Sequence, residues 1–593
     1  MLSQTQRQSL QKRLQRLYGD QSTRLVSRFE AMLGRYGIGS GRAETGERWD
    51  HRTCVLITYA DTLREKDRAP LKTLHSFLGS RLRGVFSTIH ILPFFPWSSD
   101  DGFSVIDFRE VHREYGNWDN VSRMGEDFEL MFDLVLNHCS RKSGWFRDFV
   151  TGIAPARWYF LPMDPATDLS LVVRPRPWPL LTKTATRDGP VHVWTTFSED
   201  QVDLNWQNPD VLFEFLDILF LYLSKGCRIF RLDAVAFLWK RVGTSCLHLP
   251  ETHEIVKFFR EVLNIVAPRA ILLTETNVPH EENISYFGED DEAHMVYNFS
   301  LPPLLLYSLL AEKSSLLSQW ARSLPELSPH QSFFNFTASH DGIGVRPLQG
   351  LLPEKEIDRL ISHVRSRGGL VSMKKNSDGS ESPYELNITY RDALDDPGHP
   401  ETGMTRFLLS QAIVLAFKGV PAIYIHSLLG TPNDLEGVKK TGQNRSINRK
   451  KWNLPDLEKE IDTDTRTQAR IFRKLSSWIR IRNQHPAFHP GAKMEVLDFG
   501  ESLFAFLRTS RTGVEKILCL FNLGGRESSI GWLDCFPRTR PQDSVRELLS
   551  NKMTKGNDGA FVVPPYQAKW LMIKGGKSPE RKRKRNGKSA DNH

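Results

Sequence analysis

The stretch "NPDVLFEFLDILFLYLSKGCRIFRLDAV" (residues 208 to 235) reads as a helix followed by a strand. Asn208 and Pro209 open an amphipathic helical segment over 209 to 225 that stops at Gly226. The run "RIFRLDAV" (228 to 235) is apolar apart from its charged residues, too continuous for a strand with one wet face. Strands of this kind belong to parallel sheets covered by helices. Seven further runs share the pattern: "VLITYA" (55 to 60), "STIHILPFF" (87 to 95), "LMFDLVLN" (130 to 137), "AILLTET" (270 to 276), "HMVYNFS" (294 to 300), "FFNFTASHD" (333 to 341) and "AIYIHSLLG" (422 to 430). Helical segments such as "HEIVKFFREVLNIV" (253 to 266) alternate with them. Eight such strands predict an α/β fold, a (β/α)8 TIM barrel.

Two spacings exceed what one helix fills. Residues 137 to 205, rich in Pro and Trp, and residues 342 to 401 are expected as inserted loop subdomains after the third and seventh strands, at the face where active sites of this fold lie. From about 493 the pattern turns to short alternating runs, which predicts a C-terminal all-β domain. The expected organisation is an N-terminal helical extension (1–50), a barrel in three pieces (51–136, 206–341 and 402–490), insertions at 137–205 and 342–401, a β domain at 493–573 and a basic tail at 574–593.

With 593 residues, 40% hydrophobic and 25% charged, the chain has the composition of a soluble globular protein. Its net charge of +9 is concentrated in 574 to 593, where eight Lys or Arg face one Glu and one Asp. The body is therefore near neutral, and a run with this composition reads as a disordered, solvated tail rather than a nucleic-acid arm. The six cysteines are scattered with no C-x-x-C pair, as in reduced proteins of the cytosol. Leu10, Leu14 and Leu17 form a helical stripe rather than a signal sequence, and the most apolar segment carries Glu214 and Asp217 and is too short for a bilayer. A cytoplasmic protein with small-molecule substrates and no membrane partner is expected; the oligomeric state stays open.

Alternation places Arg231 and Asp233 on one face of their strand, toward the barrel mouth. Side by side the two charges neutralise each other, and the cation is expected to lower the carboxylate's pKa. Alone this is a structural ion pair. Glu275 in "LLTET", Asp341 after His340 in "TASHD", and Asp133, Asn137 and His138 in "FDLVLNH" also lie at or along strand ends. Carboxylates from different strands that converge on one mouth repel each other, so they point to chemistry rather than to structure.

"FDLVLNH", "FRLDAV", "LTET" and "ASHD", in that order and spacing, resemble the four signature regions of the α-amylase superfamily of retaining glycoside enzymes. "LITYAD", "ILPFFPWSSDDGFSVID", "RPRPWPLL", "VDLNW", "GTSC", "VYNFSLPPLLL", "SHDGIGV" and "NRSINR" resemble its sucrose phosphorylase subfamily, over residues 54 to 452. The resemblance implies that Asp233 is the nucleophile, Glu275 the general acid/base and Asp341 the carboxylate that stabilises the transition state. It implies sugar-binding roles for Asp100, Phe103, His138, His340 and Arg445, with Arg231 beside the nucleophile. It assigns Arg176 and Tyr384 to phosphate, and no metal or cofactor is required. A retaining mechanism needs one ionised and one protonated carboxyl about 5 to 5.5 Å apart.

Where the sucrose enzymes carry acceptor-side residues, this sequence has Val173, Ser382, Asn277, and Arg346 followed by Pro347. The glucosyl pocket is kept and the fructose pocket is not, which points to the branch acting on glucosylglycerol, glucosylglycerate or sucrose 6-phosphate. An anionic acceptor demands a second cation site, for which Arg346, Lys374 and Lys375 are available, but Asp378, Glu381 and Glu385 crowd the same loop. On that charge count glycerol is the expected acceptor, with α-D-glucose 1-phosphate as product. Glucosylglycerate or sucrose 6-phosphate phosphorylase is the alternative, and a hydrolase or transglucosidase using the same triad is another. A catalytically dead binding subunit would lack Asp233 or Glu275.

Overall fold

The computed structural model describes residues 2–37, 46–175, 178–375, 380–535, 544–555 and 559–573. Eight parallel strands close a barrel: β1 Val55–Thr58, β2 Thr88–Ile91, β3 Glu129–Val135, β4 Cys227–Asp233, β5 Ile271–Thr274, β6 Met295–Tyr297, β7 Ser332–Asn335 and β8 Val420–Tyr424. Each pairs with its sequence neighbours, and β8 closes on β1 through Val55 opposite Ala422. The eight apolar runs are these strands, so the (β/α)8 expectation holds. The strands are shorter than the runs because their last residues turn out into loops; the eighth run breaks after Tyr424 into the short helix Ile425–Leu428. The helix Pro209–Ser224 is capped by the Asn208 side chain, which accepts from the Asp210 N–H, and buries Leu212, Phe215, Leu216 and Leu219.

The leucine stripe at the N-terminus is the first of two helices, α1 (Gln4–Tyr18) and α2 (Ser22–Arg35). They form a hairpin against the barrel helices that flank β4. Phe29 packs on Phe220 and Phe258, while Arg13 pairs with Glu254 (3.1 Å) and Glu261 (2.6 Å).

Both insertions contain sheet. In the first, His138–Ser140 pairs with Gln201–Asp203, and Leu181–Thr186 pairs with Gly189–Trp194. In the second, Glu381–Asn387 lies between Ile343–Gly344 and Leu370–Lys375. The C-terminal region forms an antiparallel six-stranded sheet beginning with Lys493–Asp498, Leu503–Thr509 and Lys516–Asn522. Alternation divides its side chains: Phe504, Phe506, Phe521 and Trp570 join the barrel core, and Leu503, Ala505, Leu518 and Leu520 a separate small core.

Two guanidiniums are wholly buried where this sheet meets the barrel. Arg482 donates to the carbonyls of Leu415 (2.8 Å), His51 (2.6 Å) and Phe488 (3.1 Å), and Arg508 to those of Ala416 (3.0 Å) and His489 (2.7 Å). Leu415 and Ala416 end the helix Pro400–Ala416, whose last carbonyls have no intrahelical donors. Burial pulls Arg508 down to about 9 and Arg482 to about 10. All six cysteines are free and buried, and among the described residues no helix is long and apolar enough to cross a membrane.

Candidate active site

The register of β3 and β4 sets Arg231 opposite Asp133, and the period of two sets it beside Asp233. Arg231 Nη1 donates to Asp133 Oδ1 and, at 2.6 Å, to Asp233 Oδ1. Its guanidinium stands over the Phe103 ring (5.6 Å) and the Tyr297 ring (5.5 Å). Behind it, His90 Nε2 lies 2.7 Å from Asp133 Oδ2. The cation is thus shared between two buried carboxylates.

After Asp233 the chain turns at Ala234, which has φ 52° in the left-handed region that a Cβ disfavours. That turn aims the Ala234 N–H at Glu275 Oε2, 3.2 Å away. Glu275 follows β5, and its own N–H donates to the Leu232 carbonyl (3.1 Å), so the two carboxyl-bearing strand ends are stitched together.

Asp341 follows β7 and faces two arginines from the loop after β8. Arg445 Nη1 is 2.6 Å from its Oδ1, and Arg449 Nη2 is 3.8 Å away. Arg449 also donates to the His340 carbonyl (2.8 Å) and to Asp101 (2.7 Å). Asp100 and Asp101 both have positive φ, an unusual pair that turns both carboxylates toward the arginines, with Asp100 3.9 Å from Arg445. His340 stacks on Phe103 with ring centroids 4.7 Å apart and planes 4° apart. His138 Nε2 lies 3.0 Å from the Phe103 carbonyl, which requires the proton on that nitrogen.

One cavity gathers the expected residues. Asp100, Phe103, His138, Asp233 and Glu275 line it, as do His340, Asp341, Arg346, Tyr384 and Arg445. Arg231 lies beneath. Arg176 falls outside the described residues; Pro175, beside it in sequence, lines the cavity.

Burial is the largest cause acting on Asp233, Glu275 and Asp341, and the arginines reverse it only at Asp341. Asp341 is held well below the usual carboxylate range because Arg445, His340, Arg449 and Arg231 outweigh burial. Glu275 is raised by burial, with Asp341 adding to the rise and Arg231 opposing it. Asp233 departs from the sequence expectation. Burial raises it, Glu275 and Asp133 push the same way, and Arg231 is divided between Asp133 and Asp233. Asp233 and Glu275 are therefore both raised, and the two compete for a proton. The contacts put that proton on Glu275, which accepts one amide N–H at 3.2 Å, while Asp233 accepts a charged donor at 2.6 Å. His138 and His340 are both lowered by burial.

Two site residues escaped the sequence reading. Arg449 was visible only as part of "NRSINR". Glu385 stands next to Tyr384 and reads as an acid in a polar loop, yet its side chain is 1% exposed and takes both Arg445 Nε (3.0 Å) and Nη2 (2.9 Å). It ties the second insertion to the cation that holds Asp341.

The α-amylase catalytic-domain family matches residues 84–341. A glucosylglycerate phosphorylase of Spirochaeta thermophila is 49% identical over 530 residues, covering 88% of this chain and 90% of that one. A glucosylglycerol phosphorylase of Marinobacter adhaerens is 30% identical, over 73% of this chain and 87% of that one. Among solved structures, the sucrose 6F-phosphate phosphorylase of Thermoanaerobacter thermosaccharolyticum superposes with a TM-score of 0.70 at 27% identity, covering 81% of this chain and 95% of that one.

Proposed function

This chain belongs to the α-amylase family, among its glucoside phosphorylases, and we propose that it is a configuration-retaining phosphorylase that converts α-glucosylglycerate and phosphate to α-D-glucose 1-phosphate and glycerate. The observation that carries the acceptor is the 49% identity to a glucosylglycerate phosphorylase against 30% to a glucosylglycerol phosphorylase. Glycerol, the acceptor expected from the charge count, is the weaker reading, and the geometry supplies the reason. Glu385 is consumed by Arg445, and Glu381 is exposed. Asp378 and its surroundings lie outside the described residues. Arg346 stands in the cavity wall with the half-exposed Glu282 3.8 Å from its Nη2, and Lys374, outside the lining, is close enough that burial and Arg346 together lower its pKa. A carboxylate on the acceptor answers that cationic pair.

In the first step Asp233 attacks the anomeric carbon while Glu275 gives its proton to the departing glycosidic oxygen. The bond to glycerate breaks and a glucosyl ester of Asp233 forms. In the second step a phosphate oxygen attacks the same carbon, its proton passes to Glu275, and the ester bond breaks to free glucose 1-phosphate. Asp341, ionised through Arg445 and Arg449, steadies the positive charge that develops on the sugar in each transition state. Phe103, His138, His340 and Asp100 surround the glucosyl unit, and Arg176 and Tyr384 are assigned to phosphate.

The test runs in the synthetic direction, glucose 1-phosphate with glycerate, glycerol, fructose 6-phosphate or water, scored by phosphate release. Glycerate is expected to give the highest kcat/KM. Faster turnover with glycerol would overturn the acceptor, and comparable release with water alone would make the protein a hydrolase.

A further inference from the structure

Resting on Asp233 as the nucleophile but not on which acceptor is used, we propose that His90 is a positioning residue for that nucleophile: by bonding to the second oxygen of Asp133, it fixes how one guanidinium is divided between Asp133 and Asp233. Three neighbouring strands build the arrangement. Register sets His90 of β2 opposite Met131 of β3, two residues before Asp133 and on its face, and sets Asp133 opposite Arg231 of β4. The imidazole is wholly buried. Its Nε2 lies 2.7 Å from Asp133 Oδ2, and its Nδ1 is buried with no hydrogen-bond partner among the described residues. A polar ring is costly in a core unless it is bonded, so the contact with Asp133 is what offsets its burial.

Burial acts to raise Asp133, but Arg231, His90 and His340 outweigh it and hold the carboxyl below its usual range. An ionised carboxylate only accepts, so the imidazole proton that faces it sits on Nε2. Each oxygen of Asp133 then has a donor, His90 on Oδ2 and Arg231 Nη1 on Oδ1. The same Nη1 donates to Asp233 Oδ1 at 2.6 Å. Two carboxylates thus compete for one nitrogen, and the imidazole lets Asp133 be satisfied without taking more of the cation. Without that donor Asp133 is left dry on one side and draws Arg231 toward itself. Burial, Glu275 and Asp133 already push Asp233 up against Arg231, so a weaker hold by the cation raises it further. The pair also serves the covalent intermediate: esterified Asp233 has no charge, and Asp133 keeps the buried guanidinium neutralised.

The experiment follows α-glucosyl fluoride and phosphate to glucose 1-phosphate across a pH series. Fluoride departs without a proton from Glu275, so the acid limb of kcat/KM for this donor reports proton loss at Asp233, and glycerate takes no part. The groups facing Asp233 are Arg231, Glu275 and Asp133; those facing Asp133 are Arg231, His90 and His340; His90 itself faces Asp133 and Arg231. Only the carboxylate attacks, so activity is lost as pH falls through the pKa of Asp233, and a raised pKa moves the limb to higher pH.

His90→Phe, similar in shape and without a donor, is expected to move the limb up by at least about half a pH unit and to lower kcat/KM at the optimum about tenfold. His90→Gln, which restores an N–H donor, should return the limb to its parental place and kcat/KM to within about threefold of the parent. Asp133→Asn removes the competitor for Arg231 and a like charge, and should move the limb the other way, to lower pH. Should His90→Phe fail to fold, His90→Met, donor-free and adaptable in a core, carries the same expectation. A limb that stays in place in the donor-free variant, or a glutamine variant no better than it, makes the ring a packing residue and overturns its role. Failure of the unaltered enzyme to turn over α-glucosyl fluoride overturns the triad itself.

Discussion

Glu385→Gln isolates the stitch between the second insertion and the glucosyl subsite. The native carboxylate accepts two charge-assisted bonds from Arg445, at 2.9 and 3.0 Å, in a position almost without solvent. Bonds of this class contribute about 1.5 to 3 kcal/mol each. Glutamine keeps one oxygen acceptor and turns an amine toward the guanidinium, so one bond is lost and the other weakened. Asp341 still holds Arg445 at 2.6 Å, which limits the loss to about 2 kcal/mol, or about 30-fold in kcat/KM for phosphorolysis of α-glucosylglycerate. The pH profile gives the sharper signature. Arg445 lowers Glu275, and Glu385 partly neutralises Arg445. Without Glu385 the unmasked cation lowers Glu275 further. Since Glu275, as the proposed general acid, must carry its proton to expel the acceptor, activity is lost as pH rises through its pKa, and the alkaline limb moves to lower pH. Rates of glucose 1-phosphate formation across a pH series, with melting temperatures as a control on folding, decide the matter. A kcat/KM within about threefold of the parent, or an alkaline limb that stays or moves upward, would refute the reasoning.

Three other outcomes are expected. Gly342→Ala should cost at least about tenfold in activity, because its Cβ would stand 2.5 Å from Glu385 Cγ and 2.6 Å from the Leu386 carbonyl, where backbone must yield; parental rates would show that the insertion can shift freely. Burial, with Lys451 and Lys450, pulls His426 down to about 3. Between that value and about 6.5 the unfolded chain binds the extra proton, so stability falls on acidification by up to about 1.4 kcal/mol per pH unit, and His426→Gln should narrow the gap between urea midpoints at pH 7 and pH 5. Arg508→Met strands the carbonyls of Ala416 and His489, and a loss of about 2 kcal/mol should appear in denaturant melts; a variant as stable as the parent would show that the uncompensated guanidinium costs as much as its bonds contribute.

The barrel was legible because strands buried on both faces leave unbroken apolar runs, and the carboxylates were legible because they stand at the ends of those runs. Asp233 shows the limit. Its partner Arg231 sits two residues away, but Asp133, which takes half of that cation, comes from a different strand, and only register brings the two together. Glu385 shows it more strongly. Charge counting placed it among solvated acids of a loop, whereas its environment is set by an arginine 60 residues further along the chain. The sheet of the second insertion went unread because the stretches "SMKK" and "ESPYELN" are polar and carry no apolar run. Residues 22 to 35 lie within the segment expected as a helical extension, and Leu25, Val26, Phe29 and Leu33 form the buried stripe of its second helix.

The residues proposed to hold the glucosyl unit lie at the ends of barrel strands and in the loops that follow them, while Arg346 and Tyr384 belong to the second insertion. Such a division invites transplantation, since a foreign insertion could bring a new acceptor preference to unchanged chemistry. The bond between Glu385 and Arg445 sets a condition on any graft. An insertion that arrives without a carboxylate at this position would leave a buried guanidinium half satisfied beside Asp341, and would damage the donor half of the enzyme it was meant to leave alone. A chimera that respects the seam has to carry Gly342 and Glu385 with it and treat residues on either side of them as the exchangeable part.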